Sequence, residues 1–201
     1  SLVLEMSDVQ PVNLSTRLSY LLGYPHGCVE QITSKVFPQL YLSGFASLTR
    51  EQEQSTEATV KEVICRLRSY QTVDGSFSYW PGGTAPNAWG TVYAIHFLLE
   101  AEKKGYLVPE GMKRNALNDL SRIARNWKPE ASYSAESEEM TQAYRLFVLA
   151  LGQVAEVGAM NRLKESKTLM SMSRYLLAAG YALVGRPDVS KELVVKTTAL
   201  T

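Results

Sequence analysis

The sequence predicts an all-α protein. Apolar residues recur three and four positions apart along most of the chain, no stretch alternates as a strand does, and the polar, Gly- and Pro-containing stretches between the periodic segments are short. At common helix and loop lengths, 201 residues hold roughly 8–10 helices. That length suits one domain with a sizeable core.

The elements follow in chain order. Val29, Ile32, Val36 and Leu40 keep helical spacing, and Pro38 is expected to kink or shorten that helix. Thr56 and Glu57 precede Val60, Val63, Ile64, Leu67 and Tyr70, which read as a second amphipathic helix. Gln71 to Gly83 is loop chemistry with an Asp74-Gly75 turn. Trp89, Val92, Tyr93, His96, Phe97 and Glu100 resume helical spacing, ending at Lys103, Lys104 and Gly105. Met112, Ala116, Leu120, Ile123 and Trp127 make another helix, stopped near Pro129. Residues 130–137 read as polar loop, with Ser137 as cap of a helix through Met140, Tyr144, Phe147 and Leu151, and Glu138 and Glu139 in its first turn. Leu169, Met172, Leu176 and Ala179 predict a further helix, and Asp188 caps a last one through Leu193 and Val194.

Composition narrows the function classes. A net charge of +1 gives no reason to expect nucleic acid or an anionic membrane surface as partner. There is no signal peptide and no long apolar run. The abrupt start at Ser1-Leu-Val-Leu reads as a piece of something larger, so the expectation is a single domain over 1–201 taken from a multidomain protein. Of the two cysteines, Cys65 lies within Val63-Ile-Cys-Arg-Leu and is expected to be a buried free thiol.

The chemistry concentrates in Tyr24-Pro25-His26-Gly27-Cys28-Val29-Glu30-Gln31. Residues three apart are neighbours on a helix surface, with Cβ atoms roughly 5–6 Å apart. The Cys28 thiol can therefore reach the Gln31 amide, expel ammonia and close an internal thioester. Pro25 and Gly27 make the turn before it, and Gly27 permits positive φ or close approach. A helix starting near Cys28 offers free N–H groups and the positive dipole end, both favouring the attacking thiolate. Glu30, between the partners, is a candidate proton shuttle. The ring must be kept from water, which makes Tyr20, Tyr24 and Phe37 candidate shields. Against this stands the plain alternative that Cys28 is a small buried hydrophobe.

This segment resembles the Pro-x-Gly-Cys-x-Glu-Gln thioester motif of the α2-macroglobulin and complement family. The flanks Leu18 to Tyr24 and Thr33 to Leu40 are similar to its bacterial branch. Vertebrate members usually carry Gly between Cys and Glu, where this chain has Val29, as bacterial forms do. The loop Gln71 to Phe77, a Gln-x-x-Asp-Gly-Ser-Phe pattern, resembles a turn of α/α-toroids, with Asp74 and Gly75 tying one helix pair to the next. The run Asn87 to Leu99 is similar to the helix that follows this turn in thioester domains. The resemblance covers at least residues 14–100, more weakly Ala143 to Ala150. It implies an α/α-toroid of paired helices, incomplete because a full ring needs more helices than fit here.

It also implies function. Complement-type members use a downstream histidine to direct the thioester to hydroxyl groups, expected here around residues 120–130. The only histidines are His26, in the motif's variable position, and His96, which reads as a packed helix residue. Without that histidine, the resemblance implies direct reaction with amines such as lysine side chains. The parent would be a single-use covalent trap for target proteases, not a turnover enzyme, with a bait region elsewhere. Its place would be the periplasm or cell surface of a bacterium, its partners the target protease and the parent's other domains. No cofactor and no metal is implied.

Other classes fit less well. A protein prenyltransferase needs a zinc site of Asp, Cys and His, and no spacing here supports one. A terpenoid cyclase needs an Asp-x-Asp-Asp motif, which is absent. A cysteine hydrolase pairing Cys28 with His96 lacks a local protease signature. The main alternative is a helical toroid that serves as a protein-interaction domain with a non-reactive cysteine.

Overall fold

The computed structural model describes residues 27–45, 47–129, 135–166 and 169–198. It is all-helical, with eight α-helices among the described residues. These are α1 (Val29–Val36), α2 (Arg50–Leu67), α3 (Ala88–Lys103), α4 (Glu110–Asn126), α5 (Ala135–Leu151), α6 (Val157–Lys164), α7 (Ser171–Leu183) and α8 (Pro187–Thr198). A 3₁₀ segment, Phe37–Gly44, continues α1 with Pro38 at its start. Pro38 thus shortens the α-helix as its missing N–H and fixed φ dictate.

The helices form the successive pairs of an α/α-toroid. Odd-numbered helices pack on one another, α1 on α3, α3 on α5 and α5 on α7, while each even-numbered helix packs on its odd neighbours from outside. Side-chain chemistry sorts the layers. Helix α3 buries Val92, Ala94, Ile95, Phe97, Leu98 and Leu99 around much of its circumference, as an inner helix must. Helix α4 buries the stripe Met112, Ala116, Leu117, Leu120 and Ala124 together with Asp119, and turns Glu110, Arg114, Arg122 and Arg125 outward. The fully buried Tyr70, Phe77, Phe97, Leu120, Leu146 and Tyr181 lie in the shared core.

The long connection between α2 and α3 is the fold's main polar tie. Its turn is closed by an isolated antiparallel bridge between Gln71 and Phe77. Gly75 has φ +105°, and a Cβ there would lie 2.7 Å from the Asn115 carbonyl carbon of α4, so glycine is needed for both conformation and approach. Gln71 Nε2 donates to the carbonyls of Gly75 and Met112, each at 3.0 Å. Ser76 donates to Asp119 on α4, and the Phe77 N–H donates to Thr91 Oγ1 on α3 at 2.9 Å. The tie to the next helix pair is therefore made by Gln71, Gly75 and Ser76, whereas the expected tie Asp74 is exposed.

Four other expectations change. Helix α2 starts at Arg50, not near Thr56, because Thr49 and Gln52 form a reciprocal capping box: Gln52 N–H to Thr49 Oγ1 at 3.3 Å and Thr49 N–H to Gln52 Oε1 at 2.9 Å. Cys65 is a free thiol but exposed, since the buried stripe Val60, Val63, Ile64 and Leu67 occupies another face of α2. Ser137 lies inside α5 rather than at its cap, accepting the Thr141 hydroxyl at its carbonyl. Asp188 sits one residue after Pro187, which opens α8 at the position where its missing N–H costs nothing. Helix α6, a short element carrying Ala159, Met160 and Leu163 inward, is an addition to the expected set. Among the described residues, no helix is long and apolar enough to cross a membrane.

Candidate functional site

Cys28 stands immediately before α1, with extended backbone (φ −70°, ψ 169°) as its N-cap, and is 1 % exposed. Gln31 is the third residue of α1, and the pair forms a reciprocal capping box. The Gln31 carboxamide folds back so that Oε1 accepts the Cys28 N–H at 3.0 Å, while the Gln31 backbone N–H faces the Cys28 side chain. A cap of this kind ordinarily uses Ser or Thr with Glu or Gln; here the hydroxyl is replaced by a thiol. The geometry therefore brings the sulfur and the amide together at the positive end of a helix. Glu30 lies in the same first turn, half-buried.

Gly27 makes this arrangement fit. Its φ is +119°, and a built Cβ would stand 2.9 Å from Gln31 Cδ and closer still to Oε1. Any side chain at this position would occupy the space the carboxamide uses. Val29 is fully buried against α3, where a Cβ added to Gly90 would collide with its Cγ1. The β-branched residue between Cys28 and Glu30 thus seats α1 on α3 through a glycine.

The α2–α3 connection grips the motif at both ends. Tyr70, fully buried, donates its hydroxyl to the Gly27 carbonyl at 2.7 Å. The Val29 N–H donates to the Tyr79 carbonyl at 3.0 Å. The Tyr79 pKa is raised above its ordinary value by interaction with the Cys28 thiol, then by the Cys28 charge, by burial and by the Glu30 charge. The ring is 42 % exposed and meets Trp80 edge-on at 5.5 Å. Ser78 fixes the bend, its backbone N–H donating to the Tyr70 carbonyl at 2.8 Å and its hydroxyl to the Trp80 carbonyl at 2.6 Å.

Of the residues expected at the site, Cys28, Gln31, Glu30 and Gly27 come together. Phe37 packs instead into an aromatic group with Tyr93, His96 and Phe97 on α3, at centroid distances of 4.9–5.8 Å. Tyr20, Tyr24, Pro25 and His26 lie outside the described residues. Tyr79, Trp80 and Tyr70 are the aromatics that sequence reasoning missed; the Gln71–Phe77 turn placed their loop beside a helix pair but not beside the cysteine.

His96 is not a partner of Cys28. It lies six residues beyond Gly90, about 9 Å along α3 at the α-helical rise. Its Nδ1 is 2.8 Å from the Tyr144 hydroxyl, and Phe37 and Phe147 stand edge-on to its ring. Burial lowers its pKa to about 4, opposed by Glu100 and assisted by Lys103, so the imidazole is neutral at pH 7. Among the described residues, no group of three or more His, Cys, Asp or Glu side chains could hold a metal ion.

Comparison with known proteins agrees with the fold. Residues 2–145 match the A-macroglobulin TED domain. The chain is 29 % identical over 194 residues to alpha-2-macroglobulin of Escherichia coli strain K12, covering 92 % of this chain and 12 % of that protein. It is 29 % identical over 195 residues to alpha-2-macroglobulin of Xylella fastidiosa strain Temecula1, covering 90 % and 12 %. The chain thus spans 12 % of the length of these curated relatives. Among solved structures, native alpha-2-macroglobulin from Escherichia coli, from domain MG7 to the C-terminus, superposes with a TM-score of 0.77 at 26 % identity over 93 % of this chain and 31 % of that one. Salmonella alpha-2-macroglobulin reacted with methylamine superposes with a TM-score of 0.78 at 27 % identity over 93 % of this chain and 13 % of that one. A trypsin-activated form of the Escherichia coli protein gives 0.74 at 26 % identity, over 87 % and 13 %. An all-helical chain of toroidal helix pairs, with a Cys-x-x-Gln cap at its first described helix and these relatives, belongs to the A-macroglobulin TED domain family.

Proposed function

We propose that Cys28 and Gln31 form an internal thioester, and that this domain is the acylating element of a larger protein that traps proteases covalently. The observation that carries the reading is the capping box, in which the carboxamide of Gln31 lies folded back over Gly27 to the backbone of Cys28. Attack of the Cys28 thiolate on the Gln31 amide expels ammonia and leaves an acyl carbon. An amine, such as a lysine of the target, then attacks that carbon; Cys28 departs and a stable amide remains. The event occurs once per molecule, so no turnover follows.

Two properties of relatives support amine targets and protease activation. A Salmonella relative has been solved after reaction with methylamine, and an Escherichia coli relative after activation by trypsin. The commitment of His96 to Tyr144 leaves that imidazole engaged away from the motif, which favours direct aminolysis over transfer to hydroxyls. The relatives are bacterial, and the proposed setting is the periplasm or cell surface. Glu30 is proposed as proton shuttle. Tyr20 and Tyr24 remain proposed as shields, joined by Tyr79 and Trp80, while Phe37 is assigned to the packing of α1 on α3.

Intact mass tests this. The thioester form is lighter than the sequence mass by one ammonia. Methylamine adds its own mass to that form and frees one thiol, and Cys28→Ala abolishes both effects. Full sequence mass, two free thiols and no methylamine adduct in the wild-type chain would overturn the proposal. A second reading is favoured by the same bond: a capping box stabilises a helix start without any reaction. In that reading the domain is an inert interaction toroid, and the mass experiment separates the two.

A further inference from the structure

We propose that a polar cavity beyond the C-terminal end of α1 is a docking pocket for an arginine side chain presented by a partner protein. The pocket stands apart from the thioester pair. Cys28 precedes α1 and the pocket follows it, so the eight residues of the helix, about 12 Å at the α-helical rise, lie between them.

The cavity, about 350 Å³, opens between the 3₁₀ segment, the first turns of α2 and the turn after α3. Its polar lining includes Ser43, Glu53, Thr56, Glu57, Lys104 and Tyr106. Thr56 is 6 % exposed, yet its hydroxyl has no hydrogen-bond partner among the described residues. A buried helical threonine has a local remedy, which is to donate to the carbonyl four residues back. Thr33, Thr59 and Thr141 all do so here, and Thr91 donates to the Phe77 carbonyl. Thr56 does neither. A buried hydroxyl left without a partner is costly, and this one lines a cavity in which a ligand would satisfy it.

The lining selects an organic cation. No ion pair engages the Glu53 carboxylate among the described residues, and Glu57 is paired with Lys61 through Oε1 alone. The cation of the lining, Lys104, is drawn to the Tyr41 ring, with Nζ 4.6 Å from its centroid. Two carboxylates with hydroxyls do not make a metal cluster. A guanidinium suits them better than an ammonium does, because its planar fork carries five donors that reach several acceptors at once. Leu40 and Leu48, also in the lining, suit the apolar stem, and the half-buried Tyr106 offers a ring on which guanidinium stacks.

The surroundings favour a protein over a free small cation. Phe45, two positions after Ser43, is 76 % exposed, and Leu107, next to Tyr106, is 91 % exposed. Large apolar side chains displayed beside a pocket for a single anchor are a pattern of protein interfaces, where arginine is an enriched anchor.

The test follows the amide resonances of Ser43, Glu53 and Thr56 by NMR as capped tripeptides are added to the chain. Leucine-arginine-leucine is expected to give saturable shifts with Kd on the order of 1 mM. Glycine-arginine-glycine is expected to bind about threefold more weakly, and leucine-citrulline-leucine, which has the shape without the charge, not at all. Glu53→Gln and Thr56→Val are each expected to weaken binding about fivefold, and Thr56→Ser to keep it. Thermal unfolding supplies a second reading: Thr56→Val puts a residue of the same shape in place of an unpartnered hydroxyl, so its Tm is expected to equal or exceed that of the wild type. A lower Tm would show that the hydroxyl is satisfied within the fold and would overturn the proposal. So would the absence of saturable shifts, or equal binding of the citrulline peptide. Equal binding of the two arginine peptides would make this a site for small cations and overturn the protein partner. The thioester reading stands or falls separately, by the mass experiment.

Discussion

Replacing Gly27 by alanine strikes the site at its tightest point. Two separable effects follow from the geometry. The first is backbone strain: a non-glycine residue held at φ +119° costs on the order of 1–3 kcal/mol. The second is displacement: the new Cβ would sit 2.9 Å from Gln31 Cδ and closer to Oε1, so the carboxamide must swing out and the 3.0 Å bond from the Cys28 N–H is lost, at about 1 kcal/mol for a helix cap. Together these amount to about 2–4 kcal/mol, a fall in Tm of roughly 5–15 °C for a domain of this size. Gly82→Ala is the control. Gly82 also has positive φ, +75°, but a Cβ there meets nothing within 4 Å, so it carries strain without displacement. Thermal unfolding followed by circular dichroism gives the stability, and intact mass before and after methylamine gives the thioester. Gly82→Ala is expected to lose stability alone; Gly27→Ala is expected to lose both stability and thioester. A Gly27→Ala chain as stable as wild type, or one that reacts with methylamine as wild type does, would refute the reasoning.

Three further outcomes follow from the same structure. Burial lowers His96 to about 4 from an unfolded value near 6.5, so the unfolded chain binds a proton that the folded chain does not between those values. The associated stability is full above about pH 6.5 and is lost as pH falls towards 4, by at most about 3 kcal/mol; urea titrations of wild type and His96→Phe at pH 7 and pH 4.5 should show this loss in the wild type and a much smaller one in the variant. Gly90→Ala should destabilise by about 1–3 kcal/mol through overpacking against Val29, and Val29→Ala in the same chain should recover part of that loss in a double-mutant cycle read by denaturant unfolding. Gly75→Ala, at φ +105° and against the Asn115 carbonyl, should cost about 2 kcal/mol or more by the same measurement while leaving the methylamine reaction unchanged.

Much of the fold could be read from spacing, for a physical reason that particular helices make plain. Where a stripe of large apolar residues must face a core, as in α3 and α4, the period is written in the residues themselves. The start of α2 escaped because its first two turns, Arg50 to Glu57, are mostly polar and show no stripe; the signal there is the Thr49 and Gln52 cap. Helix α6 escaped because two turns carry only Ala159, Met160 and Leu163 inward. Cys65 misled because adjacency in sequence to Val63 and Ile64 is not adjacency on a helix, where successive residues turn by about 100°. The juxtaposition of Cys28 and Gln31 is local and was legible from their spacing. Tyr70 and Tyr79 reach the motif across the α2–α3 connection, from more than forty positions away, and no local pattern encodes that meeting.

The grip of one connection on both ends of the motif has a mechanical consequence. Tyr70 holds the carbonyl before Cys28 and Tyr79 holds the amide after it, and both belong to a segment braced by Ser78 and by Gln71 on α4. A force that shifts this segment carries Gly27, Cys28 and Val29 along as one body. The distance between sulfur and carboxamide is therefore insulated from such motion, whereas the outlook of the pair towards its surroundings is not. Movement of this connection re-aims the pair without drawing its two members apart.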